Sequence, residues 1–402
     1  MSTQCINPAD YQNLLQKLLQ QSGATDIFLD QENFSVSFEM GSKARIKLAP
    51  WYAAHKHLAD TEMRRAIRKL LAEFQRKLEL AHPHLQQIKL QLMPVVRDKR
   101  YFSLAQLQML ESDAGRQIRF PLRKLAGEMV MALFLEQEQT TRLVTQDLLD
   151  EWQISFDQAW QFALKNLRAR TTGQFQELAP GLFCSIWQDG YDSSRSLLPE
   201  LYQSLRLLGD PVFAFPTRSH LLIAGSHDLT GLQAMTKHCL GLLQQTEQAL
   251  STDWLTCSEQ GWQSFDADPA ARTALREEQI KILAKDYAQQ KVLLNRVLPQ
   301  QGKDWFVACY QTQRTDEGAG WVSMAQLTDK GANLLPEADK FAYLDTQNSE
   351  LLLVDWSQAQ QIFGAAMQKQ ALYPKRYLLQ GQASAEQLTL LRQVAQIQPV
   401  HQ

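Results

Sequence analysis

Apolar residues recur at helical spacing in several long segments of the chain. In residues 60–80 one stripe of apolar side chains marks the buried face of a predicted helix, and basic side chains occupy its other faces. The same periodicity predicts helices over residues 8–21, 146–151, 155–167, 197–208, 229–243, 268–298, 357–370 and 384–396. The helices that open at Ser155 and Ser384 begin with a capping box, because a glutamine follows three residues later.

Alternating or short continuous apolar runs predict strands between these helices. They cover residues 34–38, 44–48, 88–96, 127–135, 142–144, 181–187, 212–215, 221–224, 305–312, 320–327, 341–345, 351–356 and 377–380. Residues 34–48 and 212–224 are typical of hairpins, because turn residues separate two strand-length runs. Residues 102–120 are mixed, and residues 253–265 form a transition segment without a predicted element.

This order of elements predicts an α+β fold. We expect a mixed-sheet amino-terminal region with packed helices over residues 1–267. This region could consist of two subdomains with a boundary near residues 90–125. A long connecting helix follows over residues 268–299, since Asp268 and Pro269 are typical of a helix start and Pro299 of its end. Residues 300–402 then form a small α+β domain.

Composition narrows the class of protein. The chain has 402 residues, of which 45% are hydrophobic and 21% charged, with a net charge of −2, so it gives no sign of a polyanionic partner for the whole molecule. No apolar run approaches the ~20 residues that span a bilayer, and no secretory signal opens the chain. Its five cysteines are widely spaced, which favours a cytoplasmic location. No metal-ligand spacing and no phosphate-binding glycine loop is present, so we expect no cofactor and no metal.

The sequence D-G-Y-D-S-S-R, residues 189–195, concentrates polar groups between a predicted strand and a predicted helix. Asp189 and Gly190 are a strong turn signal, and Asp192 or Ser193 can cap the helix that follows. Arg195 would then lie in the first turn of this helix and pair with Asp189 or Asp192. This structural interpretation uses most of the residues, and we favour it over a site interpretation.

The site interpretation makes the same turn part of a ligand pocket, because the ends of strands often bind ligands. Arginines that end one strand or connect two others could complete a cationic cleft for a carboxylate or phosphate. The candidate ligand-binding residues are Asp189, Tyr191, Asp192, Arg195, Arg97 and Arg218. We identify no catalytic residue, since G-Y-D-S-S differs from the G-x-S-x-G of a nucleophile elbow.

A basic region lies earlier in the chain. Residues 42–100 contain 14 Lys and Arg against 5 Asp and Glu. Within the predicted helix the basic surface consists of Arg64, Arg65, Arg68, Lys69, Arg76 and Lys77. Such a face could bind nucleic acid or another acidic partner, but a solvated amphipathic helix is the commoner arrangement, and no nucleic-acid module is recognisable.

Five motifs in order support a resemblance to a known family. They are P-V-V-R-D (94–98), L-V-T-Q-D-L-L-D-E-W-Q-I-S (143–155), A-L-K-N-L (163–167), D-G-Y-D-S-S-R (189–195) and P-T-R-S-H-L-L-I-A (216–224). Over about residues 34–250 the chain resembles the YtpQ-like family, bacterial proteins built on a domain of unknown function. The resemblance implies a cytosolic bacterial protein and makes the 189–195 turn a family hallmark, but it implies no activity. Residues 268–402 lie outside it.

The resulting expectation is a non-enzymatic binding or regulatory module that recognises a small anionic ligand or a partner protein. One alternative is a hydrolase-type enzyme with a carboxylate centre, metal-assisted or not, at Asp189 and Asp192, since two neighbouring carboxylates drive their pKa values apart. A second alternative is nucleic-acid binding through residues 60–80. The ligand, the oligomeric state and the role of residues 268–402 cannot be read from the sequence.

Overall fold

A computed structural model of the protein describes residues 6–22, 24–39, 43–81, 85–112, 118–137, 140–314, 320–328, 331–346 and 348–399. The chain is an α+β protein with several antiparallel and mixed sheets. It forms two compact units, an amino-terminal unit, Met1–Leu90, and a carboxy-terminal unit, Gln91–Gln402.

The amino-terminal unit has helices on an antiparallel three-stranded sheet. Its elements are α1 (Pro8–Gln21), β1 (Thr25–Asp30), β2 (Ser35–Glu39), β3 (Lys43–Lys47), α2 (Ala49–His55) and α3 (Asp60–Ala81). The strands pair in the order β1-β2-β3. Met63, Ile67 and Leu71 are buried on α3, which confirms the predicted stripe for the described part of that helix. A short helix, α4 (Leu85–Gln91), leads to the next unit.

The carboxy-terminal unit opens with a sheet whose central strand is paired on both sides. Its elements are β4 (Leu92–Asp98), α5 (Lys99–Ser112), β5 (Arg123–Ala126), β6 (Met129–Glu136), β7 (Thr141–Leu143), α6 (Gln146–Glu151) and α7 (Phe156–Arg170). β4 pairs along its full length with one side of β6, and β5 and β7 pair with the other side. β4 is buried throughout, so the polar residues at its end emerge inside the unit.

A six-stranded antiparallel sheet follows. Its elements are β8 (Gln176–Ala179), β9 (Leu182–Cys184), a 3-10 helix (Asp192–Leu197), α8 (Pro199–Tyr202), β10 (Pro211–Thr217), β11 (His220–Gly225), α9 (Leu229–Gln245), β12 (Trp254–Ser258) and β13 (Gly261–Phe265). The strand order is β13-β12-β10-β11-β9-β8, and the predicted β10–β11 hairpin is confirmed. Leu232, Met235 and Cys239 pack one face of α9 against this sheet.

The long helix α10 (Pro269–Gln300) connects this sheet to the rest of the unit. The side chain of Asp268 accepts hydrogen bonds from the N–H groups of Ala270 and Ala271, and Pro269 occupies the first turn, as predicted. The buried positions of α10 lie on more than one face, because the helix packs against α5 and α9 as well as against strands that follow it.

Two mixed sheets complete the unit. Their elements are β14 (Phe306–Val307), β15 (Tyr310–Arg314), β16 (Trp321–Leu327), β17 (Ala332–Pro336), β18 (Lys340–Asp345), β19 (Glu350–Asp355), α11 (Trp356–Phe363), a 3-10 turn (Gly364–Ala366), β20 (Gln368–Lys369), β21 (Arg376–Gln380), α12 (Ala385–Val394) and β22 (Gln396–Pro399). One sheet has the order β14-β17-β21-β20 and the other β15-β16-β18-β19-β22. Both sheets lie in the same compact unit as α10.

Some predicted elements are wrong. The helix predicted over residues 197–208 is reduced to α8, because Pro199 starts a new helix there and Leu208, at 61% exposure, does not continue an apolar face. The strand predicted over residues 181–187 ends at Cys184, and residues 88–91 belong to α4. Residues 253–265 contain the hairpin of β12 and β13.

The unit boundary lies at residue 90, inside the range where the sequence allows a division into subdomains. The predicted boundary at residue 268 does not separate compact units, since α10 packs on elements that come before and after it. No helix in the described ranges has the length and apolar character that crossing a membrane requires.

Candidate functional site

The D-G-Y-D-S-S-R segment forms a tight turn at residues 189–191 and then the first four residues of the 3-10 helix, Asp192–Leu197. Gly190 has a φ of +82°, a left-handed conformation that glycine adopts without steric strain. The Asp189 carboxylate accepts a hydrogen bond from the Tyr191 N–H at 3.0 Å, which closes an Asx turn as the Asp-Gly signal predicts. The predicted cap is wrong: the 3-10 helix begins at Asp192 with no side-chain cap.

Buried Arg195 pairs with Asp189, whose side chain is 31% exposed. Its two terminal nitrogens donate to the two Asp189 carboxylate oxygens at 2.8 Å each, and its Nε donates to Thr171 Oγ1 at 3.1 Å. The guanidinium carbon lies 4.3 Å from the centre of the Trp187 ring, and Arg195 is 0% exposed. Arg195 is therefore enclosed by protein groups, which is the arrangement that the structural interpretation describes.

The two aspartates of the turn have different surroundings. Burial raises the pKa of Asp189, but its hydrogen bonds with Arg195 and Tyr191 and the Arg195 charge outweigh burial and hold the pKa below its usual value. Asp192 is 0% exposed, and burial raises its pKa more than hydrogen bonds from Gln188 and Ser185 lower it. A carboxylate centre at these two residues would have one member paired and the other closed to solvent.

Arg97 and Arg218 meet at Gly190. Buried Arg97 donates to Gly190 O at 3.0 Å, to Val96 O at 2.9 Å and to Ser193 Oγ at 3.1 Å, and it pairs with no carboxylate of the described chain. Exposed Arg218 places its Nε 3.9 Å from where a Cβ on Gly190 would lie. Burial, and after it the Arg218 charge, lower the pKa of Arg97 to about 10.

Tyr191 is also turned inward. It is 5% exposed, and its hydroxyl has no hydrogen-bond partner among the described residues. Burial is the main cause that raises its pKa to about 12. Of the six predicted ligand-binding residues, the structure therefore buries four and leaves Arg218 and Asp189 exposed to solvent, and Asp189 is paired with Arg195.

The predicted basic surface lies on α3. Arg65, Arg68 and Lys69 are exposed, and Arg64 forms a surface pair with Asp60 at 2.8 Å. The side chains of two further members, at residues 76 and 77, lie outside the described residues. The described cations have the arrangement of a solvated amphipathic helix, and no contact favours nucleic-acid binding over it.

A charged cleft that the sequence analysis missed lies within the carboxy-terminal unit. Its volume is about 310 Å³, and its walls come from the end of β4, the β5–β6 turn, the loop before β12, α10, strands β15 and β16, the β17–β18 loop, and the segment before β21. Five carboxylates line it: Asp98, Glu128, Asp253, Glu337 and Asp339. Three cations line it: Arg100, Arg276 and Lys375. The residues that line the cleft therefore include more negative than positive side chains.

Most of these charges are paired. Arg100 contacts Asp98 at 2.8 Å and also Asp286, which is not among the lining residues, at 2.6 Å. Lys375 contacts Glu337 at 3.0 Å and approaches Glu128 at 4.0 Å. The third cation pairs with Asp339. Arg100 and Lys375 are thus each shared between two carboxylates, so these ion pairs leave part of the negative charge uncompensated.

Asp253 is the carboxylate without a partner. It is half-buried, and its side chain makes no hydrogen bond or ion pair with any described residue, although its N–H donates to Ser251 Oγ at 3.0 Å. Burial raises the pKa of Asp253, the nearby Asp98 charge raises it further, and Arg100 lowers it. A raised pKa means that the ionised Asp253 carboxylate is unfavourable in this position, and a bound cation would offset the electrostatic part of that free-energy cost.

Tyrosines provide the uncharged walls of the cleft. The rings of Tyr287 and Tyr310 stack with their centres 4.8 Å apart. The Tyr287 hydroxyl donates to Lys375 O at 2.7 Å and accepts from the Glu337 N–H at 3.1 Å, so the wall is held by backbone contacts. Tyr373 is half-buried, and burial, followed by the charges of Asp98 and Glu128, raises its pKa.

Within the described ranges, no group of three or more His, Cys, Asp and Glu side chains is arranged to hold a metal ion. The only advance signal for the cleft was Asp98, which closes P-V-V-R-D at the end of a strand that is buried throughout. Asp253 and Lys375 lie in segments without a motif.

No protein-family model, no curated protein and no solved structure matches this chain. These comparisons neither support nor contradict the resemblance to the YtpQ-like family, which stays a prediction.

Proposed function

We propose that the protein is a non-enzymatic binding protein and that its charged cleft binds a small organic cation such as an amine. The observation that carries the proposal is Asp253, a half-buried carboxylate in a cleft with no partner among the described residues. A buried charge is costly unless it is paired. An ammonium group placed against Asp253 would supply the missing pair.

Three further features support an organic cation. The cleft has more carboxylates than cations, so its field favours positive charge. Tyr287, Tyr310 and Tyr373 line it, and aromatic faces attract cations. Its volume of about 310 Å³ is at the lower end of small-molecule sites, which fits a small ligand.

A cytosolic location in a bacterium belongs to the same proposal. The four described cysteines, Cys184, Cys239, Cys257 and Cys309, are free, as expected in a reducing compartment. The bacterial origin rests on the family resemblance alone.

An anionic ligand or acidic partner at Arg97 and Arg218 is a second candidate. It is favoured by one observation: buried Arg97 has only neutral acceptors among the described residues. Inorganic phosphate should then perturb the resonances of the Gly190 backbone in an NMR titration, and Arg218→Gln should abolish the effect. Unchanged spectra at millimolar phosphate would remove this candidate. The hydrolase alternative has less support, since Asp189 is paired and Asp192 is closed to solvent.

Calorimetric titration with n-alkylamines and benzylamine tests the cleft. We expect binding to wild-type protein, no binding of the matched alcohols, and an affinity loss of about tenfold or more in Asp253→Asn, because a charge-assisted hydrogen bond contributes roughly 1.5–3 kcal/mol. Asp266→Asn is the matched control, since that aspartate is exposed and lines no cleft described here.

If no amine binds, or if Asp253→Asn binds amines as wild type does, the proposal is wrong. Mass spectrometry of the amines after incubation tests the non-enzymatic part. An altered amine that forms with wild-type protein and not with Asp253→Asn would show that the cleft is catalytic.

A further inference from the structure

A second cavity adjoins the cleft and has the opposite charge. It has a volume of about 570 Å³ and shares three wall residues with the cleft: Glu128, Tyr373 and Lys375. Besides Lys375, three cations line it, namely Lys99, Arg119 and Lys369, and Glu128 is its one carboxylate within the described ranges. We call it the basic cavity.

The cations of the basic cavity are available to a ligand. Lys99, Arg119 and Lys369 are exposed, and none of them forms an ion pair with a described residue. Lys99 approaches only the Tyr373 ring, with its Nζ 5.5 Å from the ring centre. Three unpaired cations around one cavity produce a field that attracts carboxylate or phosphate.

The floor of the basic cavity is apolar. Phe102 and Ile118 are buried there, and the rings of Phe102 and Phe120 lie 5.8 Å apart. Leu122 and Leu372 extend this surface. An apolar floor with cations around it suits an alkyl or aromatic segment that carries an acidic group.

Tyr373 marks the border between the two cavities. On the cleft side, Asp98 and Glu128 are close enough to act on its hydroxyl, and on the other side Lys99 approaches its ring. The Tyr373 N–H donates to Ser103 Oγ at 2.9 Å, which fixes this segment against α5. The electrostatic environment therefore changes sign across one anchored side chain.

We infer that the ligand is dipolar, with its amine in the cleft near Asp253 and a carboxylate or phosphate of the same molecule in the basic cavity. This inference rests on the proposed function, because it takes the amine site as given. One molecule with opposite charges at its ends matches both cavities in a single orientation, whereas a simple amine leaves Lys99, Arg119 and Lys369 without counter-charge. The apolar floor would contact the chain between the two groups.

A series of straight-chain ω-amino acids, each compared with its matched n-alkylamine and n-alkyl carboxylate, tests this. We expect one chain length to bind wild-type protein about fivefold more tightly than the matched amine, which is the upper range for a partly exposed ion pair. The double variant Arg119→Gln/Lys369→Gln should lose this gain and keep the affinity for the amine. Lys237→Gln, an exposed lysine on α9, is the control and should behave as wild type.

The outcomes separate the inference from the proposed function. If amines bind but no amino acid exceeds its matched amine, or if the gain persists in the double variant, the dipolar ligand is wrong and the amine site stands. If only the carboxylates bind and the double variant abolishes that binding, both the amine site and the dipolar ligand are wrong. If the double variant folds poorly, Lys99→Gln is the substitute, and it should also reduce the affinity advantage of the amino acid over its matched amine.

Discussion

Replacing Asp189 with asparagine should destabilise the carboxy-terminal unit strongly. The change removes the negative charge that pairs with Arg195 and keeps the size of the side chain. Arg195 is 0% exposed, so its guanidinium depends on protein partners, and asparagine leaves it without a paired negative charge. Its direct partners would then all be uncharged, namely the amide oxygen of the new asparagine, the Thr171 hydroxyl and the Trp187 ring.

The magnitude follows from the burial of the pair. Breaking a buried ion pair by removing one partner typically costs about 3–5 kcal/mol, because a buried charge is left unpaired. The Asp189 side chain is 31% exposed, so part of the pair is hydrated and the lower end of that range, about 3 kcal/mol, applies here. With a urea m-value of about 3 kcal/mol/M, at the upper end for small proteins, the unfolding midpoint should fall by about 1 M.

Urea unfolding followed by far-UV circular dichroism measures this shift. Glu200→Gln is the matched control, because the Arg168–Glu200 pair is about half exposed at both side chains and should contribute no more than about 1 kcal/mol. The double variant Asp189→Asn/Arg195→Met should recover much of the loss, since it removes the unpaired charge as well as its partner.

The pH dependence provides the second test. The pKa of Asp189 is lowered in the folded protein, so its stabilisation is complete above the unfolded-state pKa of about 3.9 and is lost as the pH falls through the folded value. The difference between wild type and Asp189→Asn should therefore shrink in acid. A difference below about 1 kcal/mol at neutral pH, or one that does not change with pH, would refute a structural ion pair here.

Two further substitutions test the cleft and the packing of α9. Asp253→Asn should raise the melting temperature at neutral pH, because the raised pKa of Asp253 means that its ionised form opposes folding, and this advantage should disappear in acid, where Asp253 is protonated in both states. If Asp253→Asn and wild type melt at the same temperature at every pH, the ionised form of Asp253 does not oppose folding and this prediction is wrong. Gly231→Ala should be destabilising, since its Cβ would lie 2.5 Å from Gly181 O, whereas Gly241→Ala on the same helix meets nothing within 4 Å and should be neutral or stabilising by up to about 1 kcal/mol. Equal midpoints for the two alanine variants in urea unfolding would contradict this packing.

Short sequence motifs correctly predicted the helix starts that depend on interactions between neighbouring residues. The capping boxes at Ser155 and Ser384 are both formed, and α10 begins at Asp268 and Pro269 as expected. In each case a side chain satisfies backbone groups within three residues, so the outcome is contained in a short stretch of sequence. Residues 197–208 have the leucines of a helix, yet Leu198 has a non-helical ψ of 86°, because the ring of Pro199 restricts the residue before it, and apolar spacing alone does not override this restriction.

The candidate site could not be predicted in the same way. Asp98, Asp253, Asp339 and Lys375 belong to four segments that tertiary folding brings to one cleft, and only the segment of Asp98 carries a motif. The basic cavity has the same origin, since it combines α5 with residues that flank β20. The sequence shows where charged residues lie along the chain, whereas a binding site depends on which of these charges remain unpaired in the folded protein.

The contrast between Arg195, Arg376 and Asp253 shows how that difference arises. Arg195 has its carboxylate six positions away in the chain, and a tight turn suffices to pair them. Arg376 is 0% exposed, and instead of a carboxylate it has Gln290 Oε1 at 2.6 Å and the carbonyl oxygens of Ala308 and Leu334 at 2.9 Å. Both arginines are saturated by the protein itself, so neither gains from a ligand. Asp253 faces a cavity, and although the Arg100 charge favours its ionised form, no group of the described chain pairs with it directly. A cation from solution would supply that pair, and we therefore propose recognition there and not in the turn where polar residues are densest.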